Sequence, residues 1–437
     1  MEIKDFICEN VSRDEEGNLL FAGQKTKDLA EKYGTPVYLM DEDRIRNRMQ
    51  TYVNAANEAF PNGGAIALAS KAASFKHIYE IAKEEGMWTD VVSSGEIYVA
   101  DLAGFPLEKS FFHSNNKTDE DIQYAMDKKV GYFVIDNIEE AVQIDKFAKE
   151  RNIKQKALIR ITPGIDSHTL EAISTGKVDS KFGQAIETGQ ADVILEKVLS
   201  LDGIDLKGFH CHVGSQVFDS EVFFITADIM MGYIASAKEK YGFEASVLNL
   251  GGGYGVRYTK DDPHIDIAEN IKGVGEHIVK KAEELNIKIP MIAMEPGRSI
   301  VADAGMTLYK VGSVKKIPGY KTYVSVDGGM TDNVRTAMYD AAYTIFPCTG
   351  LDETDTMEAD VVGRCCESGD IIQRKITLPS NIKRGDLIAT LTTGAYHYTM
   401  ASNYNRIPKL PIVMLKEGTS FVAVKRETIE DLARFDV

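Results

Sequence analysis

A chain of 437 residues is long for one folding unit and points to two. Hydrophobic residues at 44% and charged residues at 27% describe an ordinary globular protein, and no apolar run reaches membrane-spanning length. The net charge of −16 argues against nucleic acid or an anionic membrane as partner. Five scattered cysteines and the opening Met1-Glu2-Ile3-Lys4-Asp5, which starts no signal peptide, suit a reducing cytoplasm.

Residues 1–35 are mixed: a turn at Glu16-Gly17-Asn18, a short strand Leu19-Leu20-Phe21 and a helix over Lys25–Tyr33 that Gly34-Thr35-Pro36 ends. Val37–Met40 reads as a strand. Short apolar runs then recur at 65–70, 88–92, 110–113, 132–135, 157–161, 206–212, 246–250 and 290–295. Charged, helix-period segments such as 118–129, 138–149 and 268–285 separate most of them. Eight strands alternating with helices predict an α/β fold of the (β/α)8 TIM-barrel type, with a doubly wound open sheet as the alternative. The connection from Thr162 to Glu187 is unusually long, and such loops are often functional. After about Gly297 strands follow one another with little helix between, which predicts a second, mostly β domain. The expected division is a mixed N-terminal segment 1–36, a barrel over 37–300 and the β domain over 301–437.

Active sites in such barrels lie at the C-terminal strand ends. The first strand leads to Lys71, the sixth to His210-Cys211-His212-Val213-Gly214-Ser215, the seventh to Gly251-Gly252-Gly253 and the eighth to Glu295-Pro296-Gly297-Arg298. Lys71 beside so much apolar sequence either snorkels to water or is a desolvated amine fit to form a Schiff base. The glycine run lets backbone N–H groups approach an anion, although a lone glycine turn is weak evidence. If His210 and His212 alternate along a strand they share one face, which suits a packed pair, a metal ligand pair or an imidazole on the inner face of the site. Glu295 ends an apolar run and needs a partner, either Arg298 or a cationic ring nitrogen. An amine, an anion cradle, an imidazole and a carboxylate are together the parts that pyridoxal phosphate requires; no metal is expected.

The HxHxGSQ, GGGxG, EPGR, CESGD and GAY motifs occur in this order, between Leu29-Ala30-Glu31-Lys32-Tyr33-Gly34-Thr35-Pro36 and Ala401-Ser402-Asn403-Tyr404-Asn405. In this the chain resembles the fold-type III pyridoxal-phosphate decarboxylases, and among them those acting on diaminopimelate. The resemblance implies an N-terminal segment 1–36 packed with the β domain, a homodimer with shared active sites and a small amino-acid substrate, meso-2,6-diaminopimelate, decarboxylated to L-lysine. Carried over by position, Lys71 would hold pyridoxal 5'-phosphate and His212 would stack on its ring. Ser215, Gly252, Gly253, Pro296-Gly297-Arg298 and Tyr396 would hold the phosphate end, and Glu295 the ring nitrogen. Cys366, from the partner subunit, would protonate the product. Arg298, Arg335, Tyr339, Tyr396 and Glu367 would bind the distal end of the substrate, where an arginine fork suits a carboxylate. Three places depart from the family pattern: Ser93-Ser94-Gly95-Glu96 has a serine where a second glycine is common, Thr336 stands where a proline is usual, and Cys365 doubles the cysteine.

Overall fold

Eight parallel strands, at Gly64–Ala69, Trp88–Val91, Ser110–Phe112, Tyr132–Ile135, Gln155–Thr162, Ile204–His210, Val247–Asn249 and Met291–Met294, pair each with the next. Met291–Met294 also pairs with Gly64–Ala69, so the sheet closes into the predicted barrel and the open-sheet alternative falls. The structure is a computed structural model and describes residues 8–165, 180–350 and 354–437. The centre of the long Thr162–Glu187 connection, with its polar stretch His168–Gly176, lies outside the described residues.

Five of the helices between barrel strands are fixed at their N-termini by side-chain caps. Ser93, Thr118, Asn137, Asp219 and Asp266 each accept a backbone N–H from the first turn of the helix that follows. Such a cap is worth about 1 kcal/mol, and each sets where the chain turns down from the rim. Helix Lys76–Glu84 shows how the outer layer is held, burying Ile78, Tyr79, Ile81 and Ala82 while its charged residues face water. Inside the barrel, small Ala65, Ala67 and Ala293 pack with Phe111, Val134 and Leu158.

The barrel unit comprises residues 48–255 and 264–299, and the second unit comprises the chain to 47 together with 256–263 and 300–437. The boundary expected at 36/37 therefore moves to 47/48, because strand Val37–Asp41 belongs to the β unit. It pairs antiparallel with the long strand Gly305–Ile317 and parallel with Ile412–Lys416. All five of its residues are buried, so its sequence looks like that of a barrel strand; only its distant partners separate the two. Within the β unit, N-terminal Val11, Leu19, Phe21 and Leu29 share a core with Met306, Leu308, Leu391 and Val413. Strands Ile345–Pro347 and Ile412–Lys416 were not evident in the sequence.

Candidate active site

The first barrel strand ends at Ala69, and Lys71 stands in the turn beyond it. Its side chain is 49% exposed, with Nζ 3.0 Å from Asp90 Oδ2 on the fully buried end of the second strand. Of the two readings of Lys71, the structure fits the exposed one: the side chain leaves the strand edge and is held at the rim by a buried carboxylate. The neighbouring Glu96 accepts the Val92 N–H at 2.7 Å, and burial followed by the nearby Asp90 charge pushes its carboxyl up to about 7.

Glu295 is the centre of the barrel mouth. Its Oε1 accepts from His113 Nε2 and from Asn249 Nδ2, both at 2.7 Å, and its Oε2 from His210 Nε2 at 3.1 Å. Burial alone would raise its pKa, but the two histidines outweigh that and hold it well below the usual carboxylate range. Glu295 is therefore ionised without Arg298, whose Nη2 and Nε instead reach Ser215 Oγ at 2.9 and 3.2 Å. His210 is the last residue of its strand, so the alternation expected for His210 and His212 stops there. The buried His210 faces Glu295, and burial drives its pKa down to about 3. His212 turns to the glycine run, where its Nδ1 accepts the Gly252 N–H at 3.3 Å. Burial, followed by the charge of Lys71, lowers the His212 pKa well below its normal value, so the ring is neutral.

The glycines are required by space. A Cβ at Gly252 would lie 2.2 Å from the Glu295 carbonyl oxygen, one at Gly253 2.5 Å from that of Gly214, and one at Gly297 2.8 Å from Ala69 Cβ. Gly253 also has φ +124°, a conformation L side chains rarely adopt.

In the β unit, Arg335 is buried at the start of helix Arg335–Tyr339 and is no surface residue. Its guanidinium carbon lies 5.3 to 5.9 Å from the ring centres of Tyr396, Tyr339 and Tyr258, and its Nε donates to Tyr343 Oη at 2.9 Å. Tyr396 has φ +64°, in the left-handed region. Thr336 Oγ1 lies 2.7 Å from the Ile372 carbonyl and 3.1 Å from that of Ala341, so this departure from proline ties the helix down by another route. Cys366 and Glu367 are exposed, with the Cys366 N–H on Asn405 Oδ1 at 2.7 Å. The buried Asp370 accepts the Cys365 N–H at 2.7 Å, and burial raises the Cys365 thiol to about 11. In the remaining departure, Ser93-Ser94-Gly95-Glu96, Ser93 caps a helix by accepting the Glu96 N–H.

Lys71, His212, Ser215, Gly252, Gly253, Glu295, Pro296, Gly297 and Arg298 thus gather in the barrel unit, while Arg335, Tyr339, Tyr396, Cys366 and Glu367 belong to the β unit. Sequence reasoning passed over Asp90, His113, Asn249, Tyr258 and Tyr343. Three of these carried a signal: Asp90, His113 and Asn249 stand at or beside strand ends, where the same rule collects catalytic residues. His113, His210 and Glu295 also hold potential metal-ligand atoms within 4.8 Å of one another, but Nε2 of each histidine is already at hydrogen-bonding distance from the carboxylate.

The pyridoxal-binding domain of the pyridoxal-dependent decarboxylases matches residues 43–302. The diaminopimelate decarboxylase of Bacillus subtilis (strain 168) is 42% identical over 435 residues, covering 99% of this chain and 98% of its own. That of Staphylococcus aureus (strain COL) is 42% identical over 425 residues, 97% of this chain and 98% of its own. The solved structure of M. jannaschii diaminopimelate decarboxylase in complex with L-lysine superposes with a TM-score of 0.90 at 32% identity, covering 98% of each chain. The chain belongs to the pyridoxal-dependent decarboxylases, in the group formed by the diaminopimelate decarboxylases.

Proposed function

We propose that this protein decarboxylates meso-2,6-diaminopimelate to L-lysine and CO2 with pyridoxal 5'-phosphate, as a cytoplasmic homodimer whose active sites combine residues of both subunits. Full-length similarity to diaminopimelate decarboxylases supports the reaction. The observation that carries the reading in this chain is the barrel mouth itself, where an amine, a glycine cradle and an ionised carboxylate converge. The glycine run suits a phosphate because a Cβ at Gly252 or Gly253 would strike the carbonyl oxygen of Glu295 or Gly214, so the backbone there stays bare, while Arg298 and Ser215 stand paired nearby. The buried, ionised Glu295 fits a protonated ring nitrogen, since a buried charge needs an opposite one.

Bound pyridoxal phosphate supplies an electron-poor ring that accepts the electron pair left as CO2 departs. Lys71 is the amine that would hold the cofactor's aldehyde, with Asp90 fixing it at the rim. Gly252, Gly253, Gly297, Arg298, Ser215 and Tyr396 would bind the phosphate, and neutral His212 offers a flat face for the ring. Glu295 would keep the ring nitrogen protonated. Cys366 would return a proton to the α-carbon; its exposure on this chain supports delivery to the site of a second subunit. Arg335 and Arg298 would grip the distal carboxylate, with Glu367 meeting the distal amine. Among the described residues no helix is long and apolar enough to cross a membrane.

The test is CO2 release from diaminopimelate, lysine, ornithine and carboxynorspermidine, together with the absorption spectrum of the cofactor-loaded protein. Release from diaminopimelate and a Schiff-base band abolished by Lys71→Ala are expected. Faster release from any other substrate overturns the substrate assignment; colourless protein with stoichiometric zinc overturns the reaction.

A further inference from the structure

The buried polar cluster around Glu295 includes His113, His210 and Asn249, none of which contributes an atom to the chemistry above. His113 Nε2 and Asn249 Nδ2 converge on the same oxygen, Oε1, at 2.7 Å each, while Oε2 has only the longer 3.1 Å bond from His210. A carboxylate oxygen pair can accept about four hydrogen bonds, so Oε2 is the oxygen with spare capacity. His210 donates through Nε2, and its Nδ1 is buried without a hydrogen-bond partner, which fits a neutral ring in a single tautomer.

Both donors to Oε1 are themselves fixed from outside the cluster. The His113 N–H bonds the Val91 carbonyl at 2.8 Å. The loop after it is pinned by the buried Lys117, whose Nζ donates to the carbonyls of Ser114 and Val134 and pairs with Glu140 Oε1 at 2.7 Å. The fully buried Asn249 accepts the Gly251 N–H on Oδ1 at 2.9 Å while its amide donates to Glu295. Only this orientation of the amide satisfies both partners, so one side chain ties the glycine cradle to the carboxylate.

From this we propose that His113 and Asn249 are positioning residues: they lock Oε1 of Glu295 so that Oε2 is presented, ionised, to the cofactor's ring nitrogen. The inference rests on the reading of Glu295 as the partner of that nitrogen. Two charge-assisted hydrogen bonds on one oxygen hold a side chain far more firmly than packing alone. A carboxylate that wanders or binds a proton cannot keep the ring nitrogen charged.

The experiment loads the full-length protein with pyridoxal phosphate labelled with 15N at the ring nitrogen and records its NMR shift without substrate, alongside kcat and KM. His113→Phe keeps a ring but loses the donor; Asn249→Leu keeps the shape but loses both bonds; His113→Gln keeps a donor. The 15N resonance should move towards the unprotonated value in His113→Phe and Asn249→Leu, kcat should fall roughly tenfold or more with KM little changed, and His113→Gln should recover most of both. Wild-type shifts in both donor-free variants, while Glu295→Gln moves the resonance, overturn the proposal. If Glu295→Gln leaves the resonance in place, the reading of Glu295 fails and takes the proposal with it. If His113→Phe fails to fold by circular dichroism, Asn249→Leu against His113→Gln decides.

Discussion

Tyr343 accepts a hydrogen bond from Arg335 Nε at 2.9 Å, which takes up the inner edge of the guanidinium. The outer edge, with both terminal nitrogens, is the geometry that pairs with a carboxylate through two parallel bonds. Three tyrosine rings around the guanidinium carbon restrict it further. Arg335→Ala should therefore raise KM for diaminopimelate roughly 10- to 100-fold while leaving cofactor affinity near that of wild type. Tyr343→Phe, which removes only the orienting hydroxyl, should raise KM by a smaller factor with kcat little changed. Steady-state kinetics and a cofactor titration measure both. Unaltered KM in Arg335→Ala would exclude its role in substrate binding.

The barrel was legible because buried parallel strands alternate with capped amphipathic helices, a pattern local in sequence. Val37–Asp41 was misassigned because pairing with Gly305–Ile317 and Ile412–Lys416 is a long-range fact. The same limit governs the site. Lys71, Glu295 and the glycines stand out by residue type and motif. His113, in contrast, gains its meaning only from a carboxylate 182 residues further along. Lys71 stayed ambiguous in its own apolar strand, and only the register, which pairs Ala69 with Asp90, brings alongside the carboxylate that holds it at the rim. Tyr343 stands in none of the motifs, and its role appears only once Arg335 is seen to be buried.

Glu96 makes stability depend on pH in a defined direction. Burial and then Asp90 raise its pKa from 4.5 to about 7, so the folded state holds this proton more tightly than the unfolded chain does. Its stabilising contribution is complete below about 4.5 and is lost as pH climbs through about 7. Glu96→Gln removes the titration while keeping an oxygen for the Val92 N–H. Relative to wild type, the variant should gain roughly 2 kcal/mol between pH 5 and pH 8. Denaturant unfolding of the cofactor-free protein at several pH values measures the difference. A constant difference across that range would show that Glu96 titrates normally.

Cys366 and Lys71 lie in different units, and Cys366 is exposed on its own chain. If a two-fold dimer brings Cys366 of one subunit to Lys71 of the other, two inactive variants can repair each other. Lys71→Ala and Cys366→Ala homodimers should each be nearly inert. A heterodimer, however, contains one site with both residues intact and one with neither. Random exchange makes half the dimers mixed, so about a quarter of wild-type sites, and about that fraction of activity, should return. Exchange is followed with differently tagged subunits and native mass spectrometry, and CO2 release is assayed on the same mixture. Mixed dimers that stay inactive would mean that each chain supplies its own cysteine, or that Cys366 is not the proton donor.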